Sequence, residues 1–117
     1  MGFKFEKLEV WRKAIDFSYH VHELTKSFPR NEMYILSSQI KRAADSIALN
    51  IAEGSTGQSN PEFSQFIGYA LRSAIESVSC LYLGKKRELI DEDNFKNLYA
   101  EAENIVKMLQ ALRNSLR

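Results

Sequence analysis

Gln39, Arg42, Ser46, Asn50 and Glu53 recur at steps of three, four, four and three. That spacing puts an amide, a guanidinium, a hydroxyl, a second amide and a carboxylate on one stripe of a helix. An ordinary solvated face mixes Lys and Glu, so this row is unusual. It could bind a ligand or do catalysis. It could equally hydrogen-bond to a neighbouring helix or subunit and fix register. Buried polar groups must find partners whether or not they act on anything, which favours the structural role. Arg42 and Glu53 are about 16 Å apart along a helix axis and do not meet. Either could reach Arg72, Ser73 or Glu76 further along the chain.

Other chemistries fail on residue type or spacing. A di-iron site in a bundle needs Glu-x-x-His pairs, but Phe17 and Tyr19 stand three before His20 and His22. One cysteine and two histidines cannot close a zinc site within one chain. Ser46 has no histidine at an interpretable spacing, and Cys80 beside Leu81 reads as a buried, inert thiol. The Gly54 to Gly57 stretch lacks both a P-loop lysine and a preceding strand. No catalytic residue, metal or cofactor is expected. Lys85-Lys86-Arg87 has two explanations: complementing the dipole at a helix C-terminus, or contacting nucleic-acid phosphates.

The elements that carry these residues follow from apolar periodicity. Met1 to Phe5 reads as an extended segment with Phe3 or Phe5 docked. Helix 1 is expected over about 6–27, with Val10, Ala14, Phe17, Val21, Leu24 and Phe28 in heptad-like steps. Leu8, Trp11 and Ile15 broaden that face, and Phe28-Pro29 ends it. Helix 2 is expected over 31–53, capped by Asn31, with Leu36, Ile40, Ala43, Ile47 and Ile51 inward. Gly54 is expected to stop it in the left-handed conformation. Gly54 to Asn60 reads as the flexible connection.

Helix 3 is expected over 61–87, with Pro61 in the first turn and either Asn60 or a Ser59–Glu62 capping box at its start. Phe63, Ile67, Ala70, Ala74, Val78 and Leu81 form its core face, widened by Phe66, Leu71, Ile75 and Tyr82. Helix 4 is expected over 91–116, capped by Asp91. Its seam of Phe95, Leu98, Ala102, Ile105, Leu109, Leu112 and Leu116 is unbroken. Four long helices, short loops and no strands predict an all-α, up-down-up-down antiparallel four-helix bundle in one domain, 1–117.

Composition narrows the functional classes. With 117 residues the chain can bury a single modest core. A net charge of +1 argues against a protein that coats nucleic acid generally, while leaving room for a local patch. No membrane span or signal peptide is visible, and the lone Cys80 excludes an internal disulfide, so a cytoplasmic location is expected. Trp11, Tyr19 and Tyr34 suit protein interfaces better than base stacking.

Several strings together carry a family resemblance. Leu8-Glu9-Val10-Trp11-Arg12-Lys13-Ala14 opens helix 1, and Phe28-Pro29 precedes Glu32. Ser38-Gln39-Ile40-Lys41-Arg42-Ala43-Ala44 leads through Ser46-Ile47 to Asn50-Ile51-Ala52-Glu53-Gly54, and Phe63, Phe66, Ala70, Ser73 and Glu76 follow on helix 3. The chain resembles the four-helix bundle family of 23S ribosomal RNA intervening-sequence proteins. The resemblance implies rings, typically homopentamers, with no established enzymatic activity. Some members are encoded within insertions in large-subunit ribosomal RNA genes. A related branch is the accessory protein of diversity-generating retroelements, which is more basic than this chain. Asp45, Leu49 and Lys41 depart from common family residues. The expected partners are further copies of the chain, and ribosomal RNA or a ribonucleoprotein, with no membrane and no small-molecule substrate.

Overall fold

The computed structural model describes residues 2–57 and 59–117; Met1 and Gln58, the latter inside the expected Gly54 to Asn60 connection, lie outside the described residues. Four α-helices carry the fold: α1 Glu9–Thr25, α2 Leu36–Gly54, α3 Asn60–Lys86 and α4 Glu92–Ser115. Short 3-10 turns at Lys4–Lys7 and Arg30–Glu32 precede α1 and α2. Each helix packs on two neighbours in cyclic order, α1 on α2, α2 on α3, α3 on α4 and α4 on α1. Leu36 lies by Gly84, Ser46 by Ser73 and Gly54 by Phe66, so α2 and α3 run antiparallel. Tyr82 by Phe95 and Ser64 by Arg113 show the same for α3 and α4. The expected all-α four-helix bundle is the fold, drawn out to 43 × 22 × 22 Å.

The interior is built from the apolar seams. Phe17, Ile40, Ile47, Ile51, Ile67, Leu81, Ile105 and Leu109 are fully buried. Val78, Leu112 and Leu116, expected inward, are half-buried along the sides. At the N-terminus Phe5 docks on Trp11, ring centres 4.7 Å apart, while Phe3 stacks on Phe5 from outside.

The ends of α1 and the start of α2 differ from expectation by several residues. Asn31 does not cap α2; it sits in a 3-10 turn, and α2 starts only at Leu36. Met33, Tyr34 and Ile35 are exposed, so the segment has no face to bury until Leu36 docks. Helix formation in a protein depends mainly on such docking. Helix α1 likewise starts at Glu9, after a break at Leu8, and closes at Thr25.

Gly54 does not take a left-handed conformation; Gly57 does, at φ 89°. Gly54 stays within α2, at a close approach of α2 to α3. A Cβ there would lie 2.6 Å from Phe66 Cβ and 2.9 Å from Phe63 Cδ1. At the start of α3, Ser59 is the cap, its Oγ accepting the Glu62 N–H at 3.2 Å, and Pro61 sits in the first turn. Asp91 caps α4, its Oδ1 accepting the Asn94 N–H at 2.8 Å.

The C-terminus of α3 closes as a Schellman turn. Leu89 N–H donates to Gly84 O at 2.8 Å and Glu88 N–H to Lys85 O at 3.0 Å. The left-handed position is occupied by Glu88, φ 60°, where glycine is usual. The turn drops Ile90 into the core and aims α4 back along α3. No helix among the described residues is long and apolar enough to cross a membrane.

Candidate functional site

The polar row on α2 divides by depth. Ser46 and Asn50 are half-buried against α3, while Gln39, Arg42 and Glu53 are exposed. Ser73 on α3 donates from Oγ to Ser46 Oγ at 2.9 Å. Asn50 Nδ2 donates to the same oxygen at 2.9 Å and to the Ser46 carbonyl at 2.8 Å. One turn on, Ser77 Oγ returns to the Ser73 carbonyl at 2.9 Å. These groups form a polar seam across two helices. Arg42 and Glu53 do not meet Arg72, Ser73 or Glu76 by hydrogen bond or ion pair among the described residues. Glu76 is exposed on α3, and Gly54 serves packing.

Both histidines clamp helices. His20 Nδ1 lies 2.9 Å from Glu101 Oε1, tying α1 to α4. His22 Nε2 lies 2.9 Å from Asp45 Oδ1, tying α1 to α2. Ser18 Oγ donates to that same Asp45 oxygen. The carboxylate therefore stands between hydroxyl and imidazole, so Ser18 and His22 do not face each other as nucleophile and base. Cys80 is buried, and burial first, then the Glu76 charge, raise its thiol above the ordinary range, against a smaller opposing effect of Arg87. A thiol so placed is a poor nucleophile. Among the described residues, no group of three or more His, Cys, Asp or Glu side chains could hold a metal ion.

Lys85-Lys86-Arg87 is largely engaged within the protein. Lys85 Nζ lies 3.1 Å from Glu92 Oε2 and 4.5 Å from the centre of the Phe95 ring. Arg87 Nη1 lies 3.6 Å from Glu32 Oε1, an ion pair too long for a hydrogen bond. Glu88, Asp91, Glu92 and Asp93 follow at once in the chain, so the three bases of this turn stand among four acids. Lys86 alone of the three projects to solvent with no ion-pair partner among the described residues.

Two surfaces stand out that the helical periodicity alone did not resolve. One is an apolar groove of about 390 Å³ between α3 and α4, lined by Ile75, Val78, Tyr82, Tyr99 and Val106, with Glu103 at its edge. Ile75 is 63% exposed and Tyr82 54%. On the opposite pair of helices Ile15, Tyr19 and Leu49 are also exposed. The other surface lies further along the same groove. Gln65, Gly68, Tyr69, Arg72 and Arg113 line an open pocket of about 660 Å³, and Arg113 and Arg117 border a second of about 310 Å³. No carboxylate side chain lines either pocket. The signal in the sequence is the acid-free stretch from Asn104 to Arg117, which holds Lys107, Arg113 and Arg117.

A protein-family profile described as 23S rRNA-intervening sequence protein matches residues 6–111. Among solved structures, the chain is similar to a protein of unknown function from the S23 ribosomal protein family of Bacteroides thetaiotaomicron. The TM-score is 0.83 at 26% sequence identity, over 90% of this chain and 95% of that one. No curated protein matches the sequence.

Proposed function

The chain belongs to the 23S rRNA-intervening sequence protein family, and from that premise we propose that it is a non-enzymatic scaffold whose copies close into a ring and hold RNA or a ribonucleoprotein. The observation that carries this reading is the apolar groove between α3 and α4. A side chain such as Ile75, 63% exposed on a rigid helix, gains by being covered. The occupant we assign is a second copy of the chain. The α1 and α2 side, with Ile15, Tyr19 and Leu49, lies on the opposite flank of the bundle and supplies an apolar counterpart. Two different patches on opposite flanks make a head-to-tail contact, and such contacts form rings when the rotation closes. Five protomers is the size the family resemblance implies.

The RNA half of the reading draws on the family's name, which refers to an intervening sequence of 23S rRNA. The scaffold works in the cytoplasm and needs neither cofactor nor small-molecule substrate. A protein-interaction module without nucleic acid is the second reading, favoured by the net charge of +1. Co-sedimentation separates the two. Nuclease-treated protein is mixed with a labelled 23S rRNA fragment and spun. RNA that moves with the protein in low salt, and is released as salt rises, supports the scaffold. RNA that stays at the top of the gradient in all salts removes its RNA half.

A further inference from the structure

The charge on this molecule is near zero in sum but unevenly placed. The end formed by the close of α3 and the start of α4 mixes Lys85, Lys86 and Arg87 with Glu88, Asp91, Glu92 and Asp93. The other end of the same groove holds Arg72, Arg113 and Arg117, with no carboxylate side chain lining its two pockets. We infer that this arginine end, centred on Arg72 and Arg113, contacts the phosphate backbone of single-stranded RNA. The inference rests on the RNA half of the scaffold reading and assigns it a surface, in place of Lys85-Lys86-Arg87.

The geometry suits that ligand. Arg113 Nε donates to Ser64 Oγ at 3.3 Å, which orients the guanidinium across α3. Gly68 lies beneath it, where even a Cβ would sit in ordinary contact, 3.5 Å from Arg113 Nη2. The outer guanidinium nitrogens keep their donors for an incoming phosphate, and a fork already held in place loses little freedom on binding it. Arg72, exposed on the same pocket, has no ion-pair partner among the described residues and adds a second cation. Tyr69 shares that pocket, 38% exposed, with its hydroxyl held by Gln65 Nε2 at 2.8 Å. A positioned phenol ring beside two arginines offers a base a stacking surface, which a phosphopeptide does not use.

The test is binding of a fluorescein-labelled, 20-nucleotide single-stranded RNA to the full chain, measured across a salt series. Arg72 makes no hydrogen bond among the described residues, so Arg72→Glu leaves the fold intact; the melting temperature checks this. Arg72→Glu and Arg113→Gln should each weaken binding by about tenfold. Together they should flatten the slope of log affinity against log salt by about 1.4, two backbone contacts on a single strand. Lys86→Glu should change neither. RNA held equally well by the arginine variants overturns this surface while leaving the scaffold reading in place. Absence of RNA binding by the parent chain overturns both. Tighter binding of a phosphoserine peptide than of the RNA overturns the choice of ligand.

Discussion

Ser73 on α3 donates a hydrogen bond to Ser46 on α2 across 2.9 Å, and Asn50 Nδ2 donates to the same Ser46 oxygen. The middle of the α2 polar row is thus a seam between helices, and its two ends are surface. Ser46→Ala or Asn50→Ala should lower the unfolding free energy by about 1 kcal/mol, the net worth of a part-buried hydrogen bond. Arg42→Ala and Glu53→Ala should leave it within about 0.5 kcal/mol. Urea denaturation of the four variants checks this, and equal losses at all four positions would refute the division.

Gly54 is placed by contact rather than by backbone freedom. Gly54→Ala should cost about 1–3 kcal/mol, because the added methyl meets Phe66 Cβ, which cannot swing away from its own helix. Gly84→Ala should cost less. Its methyl meets the Ile90 side chain, 2.5 Å from Cδ1 and 2.8 Å from Cγ1, which can shift more readily than a Cβ fixed to its own backbone. Thermal unfolding that ranks Gly84→Ala as the more damaging change would contradict the packing described here.

Glu88 holds a left-handed conformation at the end of α3 without glycine's freedom. Glu88→Gly should therefore stabilise the protein, by about 1 kcal/mol, as the strain of a side chain in that region is removed. Part of the gain is offset by glycine's larger entropy loss on folding. A raised urea midpoint at unchanged slope is the expected result.

Cys80 should be slow to react with iodoacetamide in the folded protein and fast in urea, since its thiol is buried and hard to ionise. The sign of the linkage follows. A thiol whose folded pKa is raised contributes fully below the pKa of the unfolded thiol, and loses that contribution as pH climbs through the folded value. Stability of the parent chain should fall at alkaline pH by more than that of Cys80→Ala.

Most of the fold was legible because the seams repeat at helical spacing: Phe95 through Leu116 on α4 needs one face buried and nothing else. The Ser46 and Asn50 row was legible for the same reason, and Ser73 is among the helix 3 groups within reach of that stripe. What was not legible depends on contacts between distant residues. Asn31 looks like a cap, yet Met33, Tyr34 and Ile35 have nothing to pack on, so the helix waits for Leu36. Lys85 and Arg87 read as free cations until α4 and the Arg30–Glu32 turn bring Glu92 and Glu32 beside them. Arg72 and Arg113 are far apart in the chain and become one patch only when α4 folds back along α3.

Self-association is the claim on which the scaffold depends, and the mass in solution tests it most directly. Sedimentation velocity at micromolar concentration should give a species several times the 13.5 kDa of one chain, and Ile75→Asp should shift it to smaller mass at an unchanged melting temperature. A parent chain that sediments at 13.5 kDa throughout the concentration range would contradict the account.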